Sequence, residues 1–319
     1  MKQLFLTISL SLLCFHGFAQ YTETINSNRP GASQGAFSVG HKVIQFEMGG
    51  LYEQNQHDLT QIDATQWGVD YEFRFGILME QLELNLKGRY LSTTEEYIQG
   101  GQNIENSYSN FQSNTLAIKY LIYDPYKKRA FEKPNIYSWK ANNSFQWRDL
   151  IPAVSIYAGA NILLGKNNPY LAPGVGKLTP TAALVTQNNW GKWVFVMNFI
   201  ADRFTSDDPY YSGIFTMTHT LNAQFSVFAE YQAIKNDFYA DDLVRLGGAY
   251  LFSKDLQLDL YGLTNFKDTP IRWQVGLGLS YRLDSKHEDE IIMEKKQPKQ
   301  KKNKKVKNSE LVDPESELD

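Results

Sequence analysis

Residues 270–283 read PIRWQVGLGLSYRL. Every second position is apolar: Ile271, Trp273, Val275, Leu277, Leu279, Tyr281 and Leu283. Between them stand Arg272, Gln274, Gly276, Gly278, Ser280 and Arg282. Successive side chains of a strand point to opposite faces, so this stretch predicts one wholly apolar face and one that is polar, charged or empty. A soluble sheet would press the apolar face onto a core. No helical layer is legible here to supply one, and the same alternation recurs along the chain, which predicts a barrel with its apolar face toward lipid and its polar face toward a lumen.

Working backward, residues 66–77 alternate Trp67, Val69, Tyr71, Phe73, Phe75 and Ile77 with Gln66, Gly68, Asp70, Glu72, Arg74 and Gly76. Further strands are expected at 42–53, 81–91, 115–123, 153–164, 178–186, 192–204, 212–221, 224–232, 242–252 and 256–262. The total is twelve, or fourteen if residues 124–151 hide a hairpin. Long connections are expected at 54–65, 92–112, 165–177, 205–211, 233–241 and 263–269. Short ones fall at 78–80, 188–191, 222–223 and 253–255. Outer-membrane barrels have longer outer loops and short periplasmic turns, so the alternation predicts a chain that begins and ends in the periplasm. Residues 124–151 break the rule, being long where a turn is expected. Trp273 and Tyr281 share a face, eight residues apart. At ~3.3 Å per residue and a tilt of roughly 40° they span about 20 Å, close to the ~25 Å apolar band between aromatic girdles.

The gross numbers agree. The chain has 319 residues with net charge −3, which gives no sign of nucleic-acid binding. Mean hydropathy is −0.42, too low for helical spans but compatible with alternating strands. Aromatic residues make up 14% of the chain, as interfacial girdles require. Residues 1–19 read as a secretory signal: Lys2, an apolar run at 4–15, and a small-residue site ending at Ala19. A lipid anchor at Cys14 is disfavoured by the bulky Leu13 before it. Cleavage after Ala19 would remove Cys14, the one cysteine, leaving no thiol chemistry. Residues 20–40 are a polar, turn-rich lead-in, periplasmic or folded into the lumen, and 41–284 form the barrel. Residues 285–319 hold nine Lys and nine acidic residues with no aromatic, the composition of a disordered periplasmic tail. Its Lys295, Lys296, Lys299, Lys301, Lys302, Lys304, Lys305 and Lys307 form a block fit to bind an acidic partner or lipid headgroups.

No catalytic, cofactor or metal signature is legible. His16 lies in the signal and His287 in the tail. His41, His57 and His219 are scattered, without ligand spacing. Gly247-Gly248 sits in a strand and precedes no helix, so it is not a phosphate loop. The polar face carries the candidates instead: Glu47, Asp70, Glu72, Arg74, Glu83, Lys87, Arg89, Lys119, Glu230, Arg245, Asp259, Arg272 and Arg282. In an open pore such residues set a transverse field and select solutes. In a narrow one they pair across the lumen and fill it.

The run Arg74-Phe75-Gly76-Ile77 followed by Leu82-Glu83-Leu84 resembles the "R-x-G-(turn)-L-E-L" hairpin of a bacterial outer-membrane family named for a meta-pathway of phenol degradation and often called "transporter". Asn28-Arg29-Pro30 is similar to its "D-R-P" segment, with Asn in place of Asp. Pro152-Ala153 opening a strand, Leu246-Gly247-Gly248, and the ending of 276–282 are similar too. The likeness spans most of 28–283 and omits the tail. It implies an outer-membrane barrel passing small, aromatic or apolar solutes. Two functions are therefore expected in order: a passive channel in contact with outer-membrane lipid, or a non-transporting barrel subunit of an assembly or secretion machine, its tail holding a periplasmic or outer-membrane protein.

Overall fold

A computed structural model describes residues 24–129, 136–138, 146–163, 168–171 and 176–284. The expected signal (1–19) and Lys-rich tail (285–319) lie outside the described residues. The described chain forms β1 (Ile44–His57), β2 (Ile62–Gly76), β3 (Leu82–Gln99), β4 (Gln102–Tyr123), β5 (Ala153–Ile162) and β6 (Leu178–Trp190). It continues through β7 (Trp193–Asp202), β8 (Tyr210–Thr220), β9 (Phe225–Lys235), β10 (Ala240–Ser253), β11 (Leu256–Asn265) and β12 (Ile271–Leu283). Each strand pairs antiparallel with its sequence neighbours, and β1 pairs with β12 from Ile44↔Leu283 to Gln56↔Ile271, closing the ring. Closure leaves no sheet edge around the wall, the condition for strands to cross lipid.

The alternation of the sequence is the alternation of the wall. On β12, Leu277 is 65% exposed and Trp273 39%, while Gln274 and Arg282 are each 2% exposed. The outer face also carries Val69, Leu116, Ile118, Ile156, Leu184 and Leu260, all exposed. An apolar surface of that extent is not stable against water, where each Å² costs about 25 cal/mol, and it identifies a lipid-facing belt. Aromatics mark one border: the rings of Trp67 and Trp273 flank Tyr52 at 4.6 and 5.3 Å between centroids.

We call the end where β1 begins and β12 finishes the near end. The far end is taller on one side. The 18-residue β3 and 22-residue β4 extend well past the 10-residue β5 and β7. Two expected loops are corrected here. Residues 54–65 and 92–112 are mostly strand, and only 58–61 and Gly100-Gly101 turn. Both glycines have positive φ, 61° and 80°, as a two-residue hairpin turn requires. These strand extensions stand clear of the apolar belt, so neither face needs to be apolar and the alternation vanishes although the pairing continues. Residues 124–151 add no hairpin to the ring. Among the described residues they hold a short helix, α1 (Pro125–Arg129), and a 3-10 turn (Trp147–Leu150), and β4 pairs directly with β5. The count is twelve, not fourteen.

Candidate functional site

Residues 24–43 form a strap inserted into the barrel from the near end. It enters beside the β10–β11 turn, where the Ile25 amide donates to the Lys254 carbonyl at 2.8 Å. It leaves beside the β2–β3 turn, where the His41 amide donates to Glu80 at 3.1 Å. Between those points it touches most of the circumference. Its backbone amides donate to wall side chains: Asn28 to Glu47 at 3.0 Å, Ala32 to Glu230 at 3.0 Å, Gln34 to Asn198 at 2.6 Å, Ala36 to Gln187 at 2.9 Å and Val39 to Glu83 at 3.0 Å. Its carbonyls accept from Arg74 (at Asn26, 2.6 Å) and from Lys119 (at Gly35 and Phe37, both 3.1 Å). A buried backbone must be satisfied somewhere, and here the wall's charged and amide side chains satisfy it.

On the β1–β4 side, the near half of the lumen is therefore a packed, charged core. Arg74, Glu83, Glu47 and Lys119 are each 0–1% exposed. Arg74 grips Glu83 through Nε and Nη2, both at 2.9 Å, and Glu47 through Nη1 at 3.2 Å. Lys119 lies 3.3 Å from Glu83. Beside this cluster Phe37 and Ala36 of the strap pack on Leu121, Ala153 and Val185. Arg282 closes the near rim on Asp255 at 2.8 Å.

Halfway up, Arg29 reaches from the strap to Asp259 with two hydrogen bonds of 3.1 Å. Burial alone would disfavour its charge. The Asp259 carboxylate supplies the counter-charge. Gly49 and Gly278 are register partners, and a Cβ on either would collide with this guanidinium. The paired glycines thus open the slot through which Arg29 reaches β11. Asn28 adds a 2.6 Å bond to Glu72, and Ser27 a 2.7 Å contact to Ser280.

Asn28, Arg29, Pro30 and Gly31 line two cavities at once. One, of about 210 Å³, lies toward the near end against Val194, Thr218 and Phe228. The other, of about 350 Å³, lies toward the far end. The strap lies between them, and its next residues alternate, Ser33 and Gly35 on the first cavity and Ala32 and Gln34 on the second.

The far cavity is lined by Asp70, Glu72, Lys87, Arg89, Arg245 and three inward tyrosines, Tyr157, Tyr210 and Tyr261. Arg89 chelates Asp70 at 2.5 and 2.9 Å. Arg245 pairs with Glu230 and lies 6.0 Å from the centre of the Tyr261 ring. Tyr261 lies over Gly276, where a Cβ would meet its ring, and takes a 2.6 Å bond from Gln274. Higher still, Arg272 meets Glu53 at 2.8 Å.

The wall charges thus divide into groups that a list by face does not reveal. Glu47, Arg74, Glu83 and Lys119 bind the strap; Glu230 and Asp259 anchor its middle; Asp70, Lys87 and Arg89 face the far cavity. Sequence reasoning missed Asn28 and Arg29 as contacts and Tyr157, Tyr210 and Tyr261 as lining. The inward phase of Tyr157 and Tyr261 was available as a signal, since each falls on the polar register of its expected strand, whereas Tyr210 falls in the expected connection at 205–211 and proves to open β8. His219 packs on Trp193 at 4.1 Å between rings, and no cluster able to hold a metal occurs among the described residues. The eight tail lysines lie outside the described residues.

The sequence family described as "Putative MetA-pathway of phenol degradation" matches residues 27–283. No curated protein matches the sequence. Among solved structures the fold is similar to the COG4313 outer membrane channel from Pseudomonas putida F1, at TM-score 0.50 and 10% identity, covering 81% of this chain and 100% of that one. The transport unit of the Escherichia coli autotransporter AIDA-I (TM-score 0.46, 9% identity, 81% and 92% covered) is also similar. So is the TodX monoaromatic hydrocarbon channel (0.43, 11%, 77% and 91%).

Proposed function

The chain belongs to the MetA-pathway of phenol degradation family, and from that premise we propose that it is a passive outer-membrane channel for small solutes whose resting state is closed by its own amino-terminal strap. The observation that carries this reading is the partition. Two cavities, of about 210 and 350 Å³, share the strap residues Asn28–Gly31 in their lining, and that segment is held by side-chain contacts rather than by a strand. A plug meant only to fill the barrel has no need of a charged cavity above it. Moving this inner part of the strap would join the two cavities.

The chemistry of the latch fits a part that lets go. Arg29–Asp259, Asn28–Glu72 and the Asn28 and Arg29 amides on Glu47 are polar contacts that water can replace. Each contributes on the order of 0.5–3 kcal/mol net. The apolar seat of Phe37 and Ala36 and the buried Arg74–Glu83–Lys119 cluster hold the rest of the strap in place. The inner end of the loop can swing while its base stays fixed. No step of this function is chemical, and the reading has no enzymatic part.

The test is flux through the purified, folded barrel in liposomes and planar bilayers. Small polar solutes and ions are expected to pass, with current rising when Asp259→Asn weakens the latch. A folded barrel that passes neither, in the wild type and in D259N alike, overturns the reading.

A further inference from the structure

Toward the near end the lumen is lopsided. On the β1–β4 side the wall presents Glu47, Arg74, Glu83 and Lys119, and the strap packs on them. On the β7–β10 side the cavity of about 210 Å³ remains, and its wall is uncharged: Val194, Val196, Thr218, Ser226, Phe228 and Ala249. These residues are cross-strand neighbours, with Val194↔Thr218↔Phe228 in one row and Ser226↔Ala249 beside it. Among the described residues that line the cavity Arg29 alone is charged, and its guanidinium is engaged by Asp259. Glu230, further along β9, is already taken by Arg245 and by the Ala32 and Ser33 amides. Hydrogen-bonding groups are nevertheless left over. The Thr218 and Ser226 hydroxyls bond to no other described residue. The Asn26 amide nitrogen, on the same cavity, is buried without an acceptor.

We infer that the near cavity is the specificity-determining slot of the channel, a binding place for a small uncharged solute bearing hydroxyl groups, with Thr218, Ser226 and Asn26 as its hydrogen-bonding contacts. An ion that enters gives up water and finds no free counter-charge on the wall, and an unpaired charge out of water is costly. A hydroxylated solute exchanges its water for two hydroxyls that donate or accept and for one amide donor. Its carbon skeleton lies against Val194, Val196 and Phe228. A wholly apolar solute of the same size leaves those polar groups unpaired, which is a loss. A volume of about 210 Å³ holds several waters, or a short polyol and a few of them.

This names the solute class of the channel proposed above and rests on that reading. The experiment is tracer exchange across liposomes holding the purified full barrel, each solute at equal concentration on both sides and protein-free liposomes subtracted. The probes are radiolabelled erythritol, glycolate and choline: one uncharged polyol, one anion and one cation. The proteins are the wild type, the double variant Thr218→Val with Ser226→Ala, Ser226→Asp, and the latch variant Asp259→Asn, with folding verified by heat-modifiable mobility on gels. In the wild type erythritol is expected to exchange about tenfold faster than either ion. T218V/S226A should slow erythritol about fivefold and leave the ions unchanged, and S226D, which puts a carboxylate in the slot, should speed choline about fivefold. Ions that exchange as fast as erythritol in the wild type, an erythritol rate untouched by T218V/S226A, or a choline rate untouched by S226D overturns the slot. If none of the three probes exchanges in the wild type or in D259N, the channel itself is overturned, so the two failures are distinct.

Discussion

The two halves of the lumen are lined by the same strand alternation and do different work. In the near half, Arg74, Lys119, Glu83 and Glu47 have no access to water and are satisfied by one another and by the strap. In the far half, Asp70, Arg89 and Lys87 keep 22%, 25% and 41% of their side-chain surface exposed. The difference teaches that position on the polar face does not define a role. What lies opposite does: a backbone loop turns wall charges into structure, and its absence leaves them to meet solutes.

The largest effect is expected where the near half is broken. Arg74→Met leaves Glu83 and Glu47 buried without their main counter-charge and removes one donor from each of two strap carbonyls, at Asn26 and Phe37. The loss of stability should be about 3–5 kcal/mol, as for a buried pair deprived of one partner. Urea unfolding in lipid or detergent, followed by tryptophan fluorescence, checks it. An effect below about 1 kcal/mol would mean the cluster is as solvated as the far half, and the contrast would collapse.

Next comes the slot. Gly278→Val places a side chain where the Arg29 guanidinium lies. Overpacking of this kind costs about 1–3 kcal/mol when the site cannot yield. Here the strap can yield, so the expected outcome is a smaller stability loss with higher conductance in planar bilayers. Gly262→Val, inside β11 and with nothing nearer than 4.0 Å to its Cβ, is the control and should leave conductance unchanged. Equal conductance in both variants would detach the slot from gating.

The smallest effect on stability belongs to the far half. Lys87→Gln should change stability by no more than about 0.5 kcal/mol, because a long, partly exposed pair contributes little. Its signature is selectivity: the reversal potential in a salt gradient should shift toward cations. If K87Q destabilises the barrel as R74M does, Lys87 belongs with the structural charges.

The barrel was legible because a membrane wall must be apolar on its outer face at every second residue, and 271–283 state that pattern almost without exception. Residues 92–112 were not legible as strand, since hairpin extensions outside the belt obey no such constraint. The polar lining could be read as a face but not as a site. The strap decides which charges are buried, and its contacts are largely backbone amides and carbonyls, which carry no side-chain signature. Arg29 and the glycines at 49 and 278 did carry one. Their relation is between residues far apart in sequence and appears only when Gly49↔Gly278 pair across the closing seam.

The most direct test of the closed-strap account is a reversible tether. The Ser27 and Ser280 hydroxyls lie 2.7 Å apart, one on the strap and one on β12, close enough for a cysteine pair at these positions to be bridged by small adjustments. Single-channel current through the S27C/S280C barrel should fall to near zero under oxidant and return to at least the wild-type level under reductant. Conductance that is the same in both states, with the disulfide verified by mass spectrometry, would show that solutes pass without the strap moving and would contradict the account.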